Sequence, residues 1–274
     1  MDSRFTELVE VMKTLRSPGG CPWDRKQTTE TLKPFLLEET YEVLEALEEG
    51  DPDLVREELG DLLFQILFHS RIAEEGGEFH IEDVIRGTIE KMVRRHPHVF
   101  DAGEKTGKPG EKPSADEVLA RWEEIKGREK KNRDRKSVLD GVPKTLPALM
   151  RANQLQSRAA RVGFDWTTIE PVLGKVREEV GELDRAVKNG SENEIRFEFG
   201  DVLFSLVNLA RFLKIDPEDA LRKTNERFSK RFRHVEAEAG KKKGGLGGMN
   251  LDQMDRLWDQ AKKTEKERGR KRKT

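Results

Sequence analysis

The stretch LEETYEVLEALEEGDPDLVREELGDLLFQI, residues 37–66, decides the fold, because it recurs without a gap as REEVGELDRAVKNGSENEIRFEFGDVLFSL, residues 177–206. Glu39, Glu42, Glu58 and Asp61 fall on Glu179, Glu182, Glu198 and Asp201, each displaced by 140 residues. Outside that block, IRGTIEKMVRRHPHV (85–99) matches LRKTNERFSKRFRHV (221–235), and ADEVLARWEEIK (115–126) matches LDQMDRLWDQAK (251–262), now displaced by 136. A repeat this long is a duplicated domain and not a solenoid unit. The expected organisation is two domains, residues 1–139 and 140–274, with the boundary near Asp140, after the charged run from Gly127 to Lys136 and before Pro143 and Pro147.

Apolar residues spaced by three and four, with few β-branched runs, predict helices almost throughout and no strand. The first acidic helix is expected from about Leu36 to Glu49, stopped by Gly50, with Asp51 capping a second helix that has Pro52 in its first turn. The corresponding turn in the second copy lies at Asn189 to Glu194. The segments 102–113 and 240–248, rich in Gly and Pro, read as loops, and the basic stretch from Lys262 to Lys273 reads as a solvated, frayed end.

The charge is balanced, with 52 Lys and Arg against 53 Asp and Glu, so no global field attracts nucleic acid or a membrane surface. Hydrophobic residues make up 34% and charged residues 38%, the composition of amphipathic helices with charged outer faces. Cys21 is alone and cannot pair within the chain, which fits a reducing compartment. Neither a signal-peptide layout nor a long apolar run is present, so a soluble, cytoplasmic protein is expected.

Carboxylates at i and i+3 share a helix face, so Glu39 with Glu42 and Glu58 with Asp61 form two pairs. The short turn near Asp51 folds their helices antiparallel, and all four acids then face one space. Glu179, Glu182, Glu198 and Asp201 do the same in the second copy. Such an oxygen set suits magnesium (Mg2+) by default, with manganese (Mn2+) as the other fitting ion. Glu45, Glu48 and Glu49 read as ordinary solvated acids. Asp61 and Asp201 do not, since LLFQILF and VLFSLVNLA follow them and a carboxylate entering a buried helix needs a partner or a metal. Glu-x-x-His spacing for a di-iron centre and Cys/His clusters for zinc are absent.

Lys223, Asn225, Arg227, Lys230 and Arg231 form a basic stretch on one predicted helix, and Lys91, Arg94, Arg95 and His98 are the counterpart in the first copy. Cations near a metal site are what a triphosphate requires, although a solvated helix face accounts for each of them equally well. Trp122 and Trp258 fit a base-stacking role and a core role alike. His96, His98 and Cys21 have no nucleophilic constellation around them and read as structural.

GGCPWDRKQTTETLKPFLLEETYEVLEAL, ELGDLLFQILFHS and RRHPHVF, followed by GFDW, EEVGEL, EFGDVLFSLVNLAR, KTNERFSKRF and the Trp258 helix, resemble the MazG family of nucleoside triphosphate pyrophosphohydrolases over nearly the whole chain. The resemblance implies an all-α fold of tandem helical bundle domains, completed by homodimerisation. It also implies magnesium-dependent cleavage of ordinary or noncanonical nucleoside triphosphates to monophosphate and pyrophosphate. It further implies that Glu179, Glu182, Glu198 and Asp201 bind metal and act in catalysis, and that Lys223, Asn225, Arg227 and Trp258 hold the nucleotide. The first copy keeps its four acids as metal ligands but has Gly87 and Ile89 where the second has Lys223 and Asn225, so the second copy is expected to be the stronger enzyme. Glu38 and Glu178 are candidate bases. Three other readings stay open on the residues: a pyrophosphatase restricted to dUTP, dCTP or phosphoribosyl-ATP, a nucleotide-binding regulator without hydrolysis, and a helical scaffold.

Overall fold

In a computed structural model, residues 3–100, 114, 115, 117, 118, 121, 122, 125, 136–241 and 244–271 are described. The chain divides into two units, Met1–Arg133 and Asp134–Thr274. The expected boundary at Asp140 falls within the second, where the Asp140 carboxylate accepts from the backbone N–H groups of Lys136 and Ser137, both at 2.9 Å. The expected loop at 102–113 lies outside the described residues. Every regular element among the described residues is helical, so the fold class is all-α with a tandem repeat.

In the first unit, α1 (Ser3–Arg16) and the short α2 (Pro22–Lys26) precede the hairpin of α3 (Thr29–Glu49) and α4 (Pro52–Glu75). Helices α5 (Ile81–Arg95) and α6 (Pro97–Phe100) follow. α3 begins a full two turns before Leu36, because Thr28 and Thr31 form a reciprocal capping box that nucleates it there. Pro34 is carried inside the helix and lacks the N–H that would reach back a turn. The hairpin turn follows the sequence reading. Gly50 adopts φ 72°, which a side chain would strain, and the Asp51 carboxylate caps α4 by accepting from the N–H of Asp53.

Met12, Leu32, Leu67, Phe68 and Ile81 form the buried centre of this unit, with Phe35 and Phe64 packed against it. Arg16 locks α1 onto α4 through Glu75, at 2.6 Å, and lies over the Phe68 ring at 5.4 Å. That guanidinium holds the Glu75 carboxyl below its ordinary range.

The second unit repeats the hairpin with α8 (Ile169–Asn189) and α9 (Glu192–Phe212), preceded by α7 (Ala148–Arg161) and followed by α10 (Pro217–Gly240) and α11 (Leu251–Lys271). Ser191 and Glu194 build a capping box at the start of α9. α7 packs on α9 and α10, and α10 packs on α11. The segment 244–248 contains a short 3-10 turn, Leu246–Gly248. The basic tail continues α11 to Lys271 where a frayed end was expected, and near its start Lys262 pairs with Asp259 at 3.0 Å. None of the described helices is long and apolar enough to cross a membrane.

Candidate metal centres and the adjoining cavity

Each hairpin brings acids from its two helices together as the i, i+3 spacing predicts. In the first unit, one carboxylate oxygen from each of Glu39, Glu58 and Asp61 lies within 4.8 Å of the others. Glu42 stands beside them, close enough that its charge acts on both Glu39 and Glu58. In the second unit the group within 4.8 Å is Glu179, Glu182 and Glu198, while Asp201 shares a cavity wall with Glu179 and acts electrostatically on Glu198.

The acids raise one another's affinity for protons. Loss of hydration and then the charges of Asp61 and Glu42 push the Glu39 carboxyl above its ordinary range, with the Gln65 amide pulling it partly back. Glu58 is raised by desolvation and by Glu42 and Asp61, and Glu198 by desolvation and by Glu182, Asp201 and Glu179. Anionic oxygens crowded to this degree fit a hard divalent cation, which would relieve the repulsion without soft or nitrogen ligands.

The two centres differ in what surrounds them. Lys175, one turn before Glu179 on α8, places its ammonium 2.7 Å from Glu179 and 2.9 Å from Glu178, and those two carboxylates hold it protonated well beyond its ordinary range. At a displacement of 140, its counterpart is Phe35. Beside Glu179 and Asp201 opens a cavity of about 390 Å³, walled by Phe164, Trp166, Val172 and Phe204 and edged by Gln156 and Asn208. Asn208 likewise corresponds to an aromatic residue, Phe68, which is 1% exposed in the core of the first unit. The loop that carries Phe164 and Trp166 is anchored by Asp165, whose carboxylate receives both terminal nitrogens of Arg211, at 2.5 and 2.9 Å. Arg211 keeps the Asp165 carboxyl below its usual range.

The predicted nucleotide residues lie on other elements. Lys223, Asn225 and Arg227 are exposed on α10, where Lys223 pairs with Asp219 at 2.8 Å and Arg227 donates to the Thr224 hydroxyl at 3.0 Å. Trp258 on α11 is half-buried, 5.1 Å from the Phe228 ring and 5.8 Å from the Arg231 guanidinium. In the first unit Trp122 has Arg95 at 5.0 Å over its ring. Lys223, Asn225, Arg227 and Trp258 do not line the cavity; its cations are Lys175 and Arg211. The sequence reading did not single out Lys175, Gln156 or Asn208. Comparing the two copies position by position gives the signal for Lys175 and Asn208, since each is a polar replacement of a Phe.

The MazG nucleotide pyrophosphohydrolase domain matches the chain twice, at residues 27–100 and 167–236. The chain belongs to the MazG family. It is 44% identical over 266 residues to a nucleoside triphosphate pyrophosphohydrolase of Escherichia coli K12, covering 96% of this chain and 98% of that protein. It is 46% identical to the nucleoside triphosphate pyrophosphohydrolase/pyrophosphatase MazG of Thermotoga maritima, over 94% of this chain and 95% of the relative. An uncharacterized protein of Bacillus subtilis, YabN, is 49% identical over 96% of this chain, which spans 52% of that longer protein. Both MazG segments include a complete acidic hairpin, so the duplication seen in the sequence is a duplication of the family's domain.

Proposed function

We propose that this MazG protein is a nucleoside triphosphate pyrophosphohydrolase that converts a triphosphate and water to a monophosphate and pyrophosphate, with the second unit as its principal site. One observation carries the choice of unit. Both units cluster their acids, and beside those of the second stand an open cavity and Lys175, where the first has Phe35 and a buried Phe68 at the positions of Lys175 and Asn208.

Glu179, Glu182, Glu198 and Asp201 would hold magnesium there, and Glu39, Glu42, Glu58 and Asp61 would hold it in the first unit. Bound magnesium supplies positive charge to the phosphate oxygens and to the departing pyrophosphate. Lys175 adds a fixed cation at the mouth of the cavity, next to Glu179. Lys223, Asn225 and Arg227 provide charge and hydrogen bonds from an exposed helix face to the outer phosphates, and Trp258 offers a flat apolar surface. In the reaction, water attacks the α-phosphorus and the bond from that phosphorus to the bridging oxygen breaks. The proton of the water passes to a carboxylate. Glu178 is engaged by Lys175 at 2.9 Å and is better placed to position that lysine than to accept the proton.

The exposed apolar residues of the second hairpin, among them Val180 (51%), Phe197 (73%) and Phe199 (55%), support a homodimer in which a second copy covers them. Ordinary and noncanonical triphosphates are both within this reading, as is a cytoplasmic location. Incubation with the eight common nucleoside triphosphates and magnesium, with products resolved, tests the proposal. Monophosphate and pyrophosphate are expected in equal amounts; binding without turnover of any of them would support a regulator instead.

A further inference from the structure

Among the described residues that line the cavity in the second unit, Gln156 Oε1 is the one buried side-chain polar atom without a hydrogen-bond partner. Lys175 is held by Glu178 and Glu179, and Arg211 by Asp165 and by the side-chain oxygen of Asn208 at 3.0 Å. The Ser205 hydroxyl donates to the Val202 carbonyl at 2.9 Å. Gln156, only 9% exposed, donates its amide nitrogen to the Phe204 carbonyl at 2.8 Å. That contact fixes which way the amide faces, since turning it over would set oxygen against oxygen. Its Oε1 is buried and has no partner. Buried amide acceptors are paired in most folded proteins, so an unpaired one in a cavity wall calls for a donor from a ligand.

The cavity has the size of a small-molecule site, and Glu179 and Asp201 line one side of it. A nucleotide whose phosphates lie at the acids would project its nucleoside into this space. Trp166, Phe164, Phe204 and Val172 offer flat apolar surface to a planar ring. The first unit supplies an internal control. It keeps the acids on the same hairpin, yet Phe35 and Phe68 stand where Lys175 and Asn208 stand, and the corresponding space is packed as core. The cavity is therefore not a by-product of the fold.

We propose that the cavity is the nucleobase subsite and that Gln156 Oε1 reads a hydrogen-bond donor on the base edge. This rests on the nucleotide reading given above. The test uses the full chain with magnesium and follows pyrophosphate release from ATP and from purine riboside 5′-triphosphate, which has the same shape without the 6-amino group. ATP is expected to have the higher kcat/KM by roughly 10- to 100-fold. Gln156→Leu should bring the two within about threefold, mainly by lowering the value for ATP. A wild-type ratio near one, or a ratio that Gln156→Leu leaves unchanged, overturns the assignment. So does a variant that alters discrimination between ATP and dATP instead, because the acceptor would then read the sugar. Asn208→Phe provides a second arm that does not depend on how Gln156→Leu folds. It places in the second unit the ring that fills the first, and it should raise KM for ATP at least about tenfold while leaving the helical circular dichroism unchanged. An unaltered KM in a folded protein removes the cavity from the nucleotide site. Absence of pyrophosphate from every nucleotide in the wild type would sink the functional reading itself, whereas release indifferent to Gln156 and Asn208 would sink only this proposal.

Discussion

The contrast between a filled and an open hairpin can be measured as stability. Phe68 is 1% exposed, touches the buried centre of the first unit and carries Arg16 over its ring. Replacing it with alanine forfeits the burial of a large side chain, about 2–3 kcal/mol. The space left behind, about 100 Å³, adds about 2 kcal/mol where the neighbours do not collapse. Phe68→Ala should therefore cost the first unit about 3–5 kcal/mol, in line with buried aromatic truncations generally. Its counterpart Asn208 faces the cavity and offers one hydrogen bond, to Arg211. Asn208→Ala should cost the second unit about 1 kcal/mol or less. Guanidinium chloride unfolding of the full chain, followed by far-ultraviolet circular dichroism and fitted with a transition for each unit, reads both numbers. A Phe68→Ala cost below about 1 kcal/mol, or equal costs at the two positions, would refute the claim that the same space is core in one unit and cavity in the other.

Other consequences follow from the ion pairs and the acids. Arg211→Met removes the partner of Asp165 and should destabilise the second unit by about 1–2 kcal/mol, because the pair is partly buried. The Asp165 carboxyl is depressed in the folded state, so the pair contributes above pH 3.8 and is lost as pH falls below it; in Arg211→Met, melting curves should lose that acid-side dependence. Glu198 has the opposite sign. Its folded-state carboxyl is raised above 4.5, so without divalent cations stability falls as pH rises through that value, and Glu198→Gln should flatten the fall. Magnesium should accordingly raise the melting temperature of the wild type more at pH 7 than at pH 4.5. Lys175→Met removes a cation that competes for Glu179, and calorimetry should show tighter magnesium binding without nucleotide, together with a raised KM for nucleotide. Unchanged affinity would mean that Lys175 does not share the metal's ligand.

Much of the fold was legible because it depends on local rules. Gly50, Asp51 and Pro52 announce one hairpin turn, and Ser191 with Glu194 announces the other, and the repeat ties the two together. α3 starts upstream of the expected Leu36 because the Thr28–Thr31 box nucleates it at Thr29 and the helix carries Pro34 within it. The clustering of the acids was legible for the same reason, since helix periodicity and a short turn leave few other arrangements. The cavity was not. It arises from the exchange of Phe35 and Phe68 for Lys175 and Asn208 and from a glutamine on α7 that meets α9 only after folding. A hydrogen bond that spans 48 positions of sequence, as from the Gln156 amide to the Phe204 backbone carbonyl, leaves no periodic trace. The exposed basic face of α10 reads the same with or without a ligand, which is why Lys223, Asn225 and Arg227 rest on the family resemblance.

The central claim, that pyrophosphate is released at the acids of the second unit, is tested most directly by phosphorus-31 spectroscopy of ATP and magnesium with the full chain and with its Glu58→Gln and Glu198→Gln variants. AMP and pyrophosphate should form in equal amounts with the wild type and with Glu58→Gln, and neither should form with Glu198→Gln. Release of orthophosphate with ADP, or undiminished pyrophosphate from a folded Glu198→Gln protein, would contradict it.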